Sequence, residues 1–273
     1  MIRRLCQRSF VRALAMVVII GGVTAALYAS HSWGNYHWAR QENPFTLKLG
    51  DNMSSTWDPY LAVASSDWSQ STVLNTTIGA GGTSARRCKP TTGRVEVCNE
   101  RYGKNGWLGL AQIWVTGNHI AQGVTKMNDT YFNTAKYNTP AWRQMVVCQE
   151  VGHTFGLDHQ DENFNNANLG TCMDYTGDPD GPPSNEYPNA HDYDQLETIY
   201  AHLDSTTTVG QAASGPGNGR MPPAMTDIEL TGPAQWGRLV RGSQERGTSL
   251  YELDFGGGHK VFTFVTWVRS DRR

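Results

Sequence analysis

Charge is scarce in this chain, and cysteine is scarcer. Lys, Arg, Asp and Glu make up 18% of the residues and nearly cancel, at 23 basic against 25 acidic. So balanced a set gives no electrostatic reason to expect nucleic acid as a partner. Five cysteines are present and none stands in C-x-x-C spacing, which argues against a thiolate metal site. There is no internal repeat. A glycine-rich turn at 79–84 lacks both the GxGxxG spacing and the Lys-Ser/Thr of a phosphate-binding loop, so it reads as a plain loop.

What is present begins with an export signal. Arg3, Arg4, Arg8 and Arg12 precede an uncharged apolar run at 13–29 that ends in small residues, with cleavage expected near Ala29. The alternative is an uncleaved anchor, since about twenty apolar residues span a bilayer. Taking four arginines and no acid from the 23 and 25 leaves 19 against 25, a net of −6 for the mature chain. Cys6 goes with the signal. The remaining Cys88, Cys98, Cys148 and Cys172 are an even set in an exported chain, which favours two disulfides. Three pairings are open, and position favours Cys88–Cys98 and Cys148–Cys172.

The chain after the signal reads in order as a lead (30–44), a main domain (45–204), a linker rich in Ser, Thr, Gly and Pro (205–223), and a small β tail (224–273). Alternating or apolar runs predict strands near 45–50, 73–78, 94–98, 107–115 and 120–127. Helical spacing predicts helices near 57–71, 140–156 and 190–203. In the tail, runs at 237–240, 249–255 and 260–268 predict strands, with Gly256, Gly257 and Gly258 turning the last pair.

The chemistry concentrates on the second helix, whose end reads Gln149-Glu150-Val-Gly-His153-Thr-Phe-Gly156-Leu-Asp-His159. Residues four apart share a helix face, so positions 149 and 153 can point at one ion. Glu150 can reach a water on that ion without binding it, and Gly156 lets the chain turn to bring His159 back. Met173 follows in the tight run Cys172-Met173-Asp174-Tyr175. This set resembles the metzincin zinc metallopeptidases, and among them the matrixin-like members. The pattern H-E-x-x-H-x-x-G-x-x-H is matched at every fixed position except the first, where Gln149 replaces histidine.

The resemblance implies an α+β fold with a mixed twisted sheet, an active-site helix, a Met-turn and a C-terminal helix, to which the small β tail is appended. It implies Glu150 as general base, His153 and His159 as zinc ligands, Met173 as the Met-turn methionine and Tyr175 as an oxyanion-assisting hydroxyl. It also implies an edge strand near 108–114 for substrate. The expected function is a secreted Zn²⁺-dependent endopeptidase acting on polypeptide as a monomer, touching a membrane only through an uncleaved N-terminal segment. No cysteine lies between the cleavage point and Phe45, so latency held by a thiol is not expected.

Gln149 leaves three outcomes open. It can ligate through its amide oxygen, a weaker zinc donor than imidazole. His191, Asp158 or a water can complete the shell. Or the chain is a catalytically inactive binding module on the same scaffold. A Ca²⁺ site among Asp161, Glu162, Asn163, Asn165, Asn166 and Asn168 is a further candidate, although Asx-rich loops commonly just make turns. His191 also reads as a cap of the last helix.

Overall fold

The computed structural model describes residues 31–210, 221–226 and 228–269. The export segment with Cys6, and residues 211–220 of the expected linker, lie outside the described residues. The chain folds as α+β around one mixed sheet. Its strands are β1 (His37–Trp38), β2 (Phe45–Asn52), β3 (Leu74–Ala80), β4 (Val95–Glu100), β5 (Trp107–Thr116), β6 (His119–Asn128), β7 (Arg238–Ser243), β8 (Thr248–Asp254) and β9 (His259–Trp267). The helices are α1 (Asp58–Trp68), α2 (Asp129–Phe132), α3 (Pro140–His153), α4 (Ala190–Ile199) and α5 (Pro223–Thr226). The strand order is β3-β2-β4-β6-β5-β9-β8-β7, with β1 added on β6. Strands β1, β2, β3, β4 and β6 run parallel to one another, and β5 and the C-terminal strands pair antiparallel.

Local chemistry accounts for the helix that carries the motif. Thr139 caps α3 by accepting from the Trp142 amide, and Pro140 stands in the first turn, where a missing N–H costs nothing. The helix ends at His153, and Gly156 follows at φ +98°. A side chain there would strike the Tyr36 carbonyl, so the sharp return towards His159 needs glycine. Helix α4 starts from a capping box in which Asn189 and Asp192 satisfy each other's backbone amides.

One expectation is corrected by the topology. Strand β5 is not a sheet edge: β6 pairs with one side and β9 with the other, from Trp107↔Trp267 to Thr116↔His259. The reason is visible in its composition. Leu108, Ala111, Ile113 and Val115 pack into the core shared with α1 and α3. Trp107, Leu110 and Trp114 pack on the opposite face with Trp236, Val261, Val265 and Trp267. A strand apolar on both faces is an interior strand. The C-terminal strands are present as predicted, with the hairpin at Gly256–Gly258, but they continue the same sheet as β1 to β6.

Both disulfides form as position suggested, Cys88–Cys98 and Cys148–Cys172. The second ties α3 to the Met173 segment across 24 residues. Closing a loop of that length restricts the unfolded chain by about 3 kcal/mol. Among the described residues no helix is long and apolar enough to cross a membrane. Replacing Cys148 and Cys172 by alanine together is expected to lower unfolding free energy by about 3 kcal/mol. Urea midpoints of the two proteins under non-reducing conditions measure it, and an unchanged midpoint would show that the tie does nothing for the fold.

Candidate metal site and its closure

The end of α3 and the turn after it bring the motif side chains together. His153 Nδ1 lies 2.9 Å from the Leu157 carbonyl and therefore carries its proton there, which leaves Nε2 as a lone pair. That Nε2 faces His159 Nε2 at 3.2 Å. His159 turns its other nitrogen towards Glu162, 3.6 Å away, and Asp158, 3.9 Å away, as a ligating imidazole does when carboxylates orient it. Burial, then the neighbouring His159, holds the His153 imidazole well below its ordinary value, so it stays neutral. Met173 lies beneath this end of α3, its sulfur against Gly152.

Gln149 is held from below. Its amide nitrogen donates to the carbonyls of Cys172 at 2.8 Å and Asp174 at 3.3 Å. Two carbonyls can only be met by the NH₂ end, so the orientation of the amide is fixed and Oε1 is its other end. Oε1 accepts from the Thr266 hydroxyl at 3.0 Å, and the same hydroxyl approaches Glu150 Oε1 at 2.8 Å. The other carboxyl oxygen, Glu150 Oε2, is buried without a hydrogen-bond partner. Burial pushes the Glu150 carboxyl up to about 8, against the Thr266 hydroxyl, which pulls it down. A side chain at Gly109 of β5 would meet the Glu150 carboxyl at 2.6 Å, so glycine makes the room.

The partners missing from the motif come from the C-terminal strands. Besides Thr266, the Phe264 ring stacks on His153 at 4.2 Å and 6°. Arg241 of β7 grips both oxygens of Asp158, at 2.6 and 2.7 Å, and reaches Glu162 at 3.3 Å. Gly247, between β7 and β8, presses on the Tyr175 hydroxyl. Tyr175 is therefore buried beside the site with its hydroxyl covered, and burial raises its pKa. Arg269 lies over the Phe164 ring at 3.8 Å. The motif is thus roofed by the chain's own tail.

The other sequence candidates lie elsewhere in this arrangement. Asp158 is engaged by Arg241. His191 stacks on His31 at 4.7 Å at the start of α4. In the Asx-rich loop, Asp161 accepts from the Asn163 amide and from Asn166, Asn163 accepts from the Asn165 amide, and Asn168 bridges to Thr176 and to the carbonyls of Asp178 and Pro183. These are turn-forming bonds, and Glu162 is turned towards Arg241 and His159. Phe264, Thr266 and Arg241 were missed by sequence reasoning. They lie about a hundred residues from the motif, and the available signal was the two-faced apolar character of β5. No protein-family model and no curated protein matches the chain.

The buried Glu150 gives a pH test in metal-free protein. Its folded value of about 8 stands above the ordinary 4.5. The stability tied to its neutral form is complete below pH 4.5 and is lost as pH rises towards 8. Glu150→Gln is expected to remove that falling limb. Urea midpoints in chelator at pH 5 and pH 8 should converge less for the parent than for the variant's flatter profile; parallel profiles would show that Glu150 is not held neutral.

Proposed function

We propose that the chain is a metzincin-like, zinc-dependent endopeptidase of the secreted kind, folded in a latent form with its C-terminal strands over the cleft. The observation that carries this reading is the facing of His153 Nε2 and His159 Nε2 at 3.2 Å at the end of α3, the helix that also carries the buried, unpartnered Glu150 Oε2. Two imidazole nitrogens facing each other at 3.2 Å share either a proton or a cation. That spacing is close to the edge of a zinc tetrahedron, roughly 3.3 Å for bonds of about 2.0 to 2.1 Å. His153 and His159 would hold a zinc ion through these nitrogens, and Gln149, one helical turn before His153, would offer Oε1 as the third donor once Thr266 is withdrawn. Bound zinc would acidify a water and polarise a peptide carbonyl.

The chain's own residues supply the rest. Glu150 takes a proton through Oε2 and returns it to the leaving amine. The Gln149 amide, fixed by two carbonyls, holds its oxygen in place without a charge. When β9 leaves β5, a peptide can add as a strand on the freed edge of β5, above Glu150. The two disulfides fit an extracellular setting.

A second reading draws on Gln149 itself. Its NH₂ gives both hydrogens to carbonyls and its oxygen accepts from Thr266, a structural role that a catalytically inactive binding module would keep. One set of measurements separates the two. Arg241→Ser, which cuts the tail's charged grip on Asp158, should raise cleavage of an unfolded protein by zinc-loaded full-length chain by roughly tenfold, the equivalent of ~1.4 kcal/mol of lost closure. A specific protease site placed within 211–220 and then cut should act in the same direction. Glu150→Ala should abolish cleavage in each background. If the cut, zinc-loaded chain shows no Glu150-dependent cleavage, the binding-module reading replaces the peptidase. Gln149→His would then raise zinc affinity without creating turnover.

A further inference from the structure

A second cluster of ligands stands where nothing in the motif would place it. His37 of β1 and His119 of β6 are paired in register on adjacent parallel strands. Asp204, five residues beyond α4, comes up against both. The ligand atoms of His37, His119 and Asp204 all lie within 4.8 Å of one another. His202 joins from the solvent side. Three imidazole Nε2 atoms thus converge on one carboxylate oxygen, Asp204 Oδ1, at 3.4 Å from His37, 3.2 Å from His119 and 3.6 Å from His202.

Hydrogen bonding does not account for this convergence. Two of the three contacts are within hydrogen-bond reach, and His202 at 3.6 Å lies beyond it. The distances are also long for N–H···O⁻ bonds, which run about 2.7 to 2.9 Å. His37 cannot be one of the donors in its neutral form. Its Nδ1 lies 2.6 Å from the Asn35 carbonyl and holds the proton there, so its Nε2 presents a lone pair to the carboxylate. Its side chain is 4% exposed. A lone pair facing a carboxylate in a buried setting calls for a cation between them.

The surrounding groups are arranged as supports of a metal site. Arg40 takes the other carboxylate oxygen, Asp204 Oδ2, through Nη1 at 2.9 Å and its own amide at 3.2 Å, leaving Oδ1 to the imidazoles. The Asp204 amide in turn donates to the Arg40 carbonyl at 2.9 Å. The Asn35 carbonyl orients His37 in the way that carbonyls orient zinc-bound histidines. The Nε2–Oδ1 separations of 3.2 to 3.6 Å bracket the roughly 3.3 Å edge of a zinc tetrahedron.

We infer that His37, His119 and Asp204 form a zinc site distinct from the motif site, with His202 as a fourth, solvent-facing ligand. Its chemistry is structural. Four protein ligands leave no open position for substrate. The ion pins together the lead segment, the β5–β6 turn and the chain leaving α4, three segments that no disulfide joins. The inference does not rest on the peptidase reading, because neither His153 nor His159 belongs to the cluster.

The test uses the full-length mature chain stripped with chelator and titrated with Zn²⁺ against a chromophoric competitor. His119→Ala should bind one zinc equivalent fewer than the parent, whether the parent binds two or one, and the remaining zinc-induced rise in melting temperature should shrink. Affinity at the site should fall by at least ~10–100-fold, the range that loss of an outer support alone produces. His119→Cys, which offers a thiolate, should restore the lost equivalent. Co²⁺ added to the parent should give a tetrahedral visible spectrum that His119→Ala weakens. Should His119→Ala fail to fold, His202→Ala at the solvent face should leave the stoichiometry and weaken binding about tenfold. Zinc content, affinity and melting shift unchanged in both variants would overturn the site.

Discussion

The pairing of β9 along β5 is the constraint on which the rest of the structure depends. Without it β5 would be an edge strand with one row of backbone groups unpaired. With it, both faces and both edges of β5 are covered. The same register sets Thr266 opposite Gly109 and lowers its hydroxyl between Gln149 and Glu150. It also lays Phe264 flat on His153. The motif carboxyl is buried in the core around α3, which raises its pKa, while the Thr266 hydroxyl that strand pairing brings to it pulls the other way. A peptide that binds by strand addition must compete with a strand already attached to the same chain. Tethered segments act at effective concentrations of order mM, so a substrate present at less starts at a disadvantage before any contact is compared.

The elements of the fold were legible because their signals are local. Thr139 and Pro140 announce α3, Asn189 and Asp192 announce α4, and Gly256 to Gly258 turn the last hairpin. The disulfides followed from an even count and short separations. Of the site, the α3 face was legible, because helical spacing puts 149 and 153 together and Gly156 returns the chain to 159. What covers that face was not. Strand pairing carries no local code for its partner, and the run at 107–115 was read for its strand character rather than for its two apolar faces. The His37, His119, His202 and Asp204 cluster was equally invisible, since its members meet through parallel register and a helix end, with no spacing that a linear motif could hold.

Gln149 reads differently once its surroundings are known. In the sequence it is a lost ligand. In the fold its amide nitrogen joins α3 to the carbonyls of Cys172 and Asp174, the same two segments that Cys148–Cys172 ties covalently. An imidazole in its place could donate from one nitrogen at most if the other were to face an ion. The glutamine therefore makes a second bond to the Met173 segment that such an imidazole would not, and its oxygen remains at the other end of a fixed amide.

The two imidazole clusters obey one electrostatic rule and differ in access. In each, a backbone carbonyl fixes a histidine proton on Nδ1, at Leu157 for His153 and at Asn35 for His37, and so aims a lone pair at His159 Nε2 in the first and at the Asp204 carboxylate in the second. In each, the acceptors stand at tetrahedral-edge distance. At the motif, His153 is fully buried beneath Phe264, so an ion can arrive only before β9 has docked or after it has lifted. At the second cluster, His202 is 58% exposed and His119 31%, so an ion can arrive with the fold intact. Metal exchange at the proposed second site would therefore be uncoupled from the pairing of β9, whereas at the proposed motif site the two would be linked. A cation that binds His153 and His159 more tightly when Thr266 is withdrawn must, by the reciprocity of linked equilibria, favour the withdrawal of Thr266.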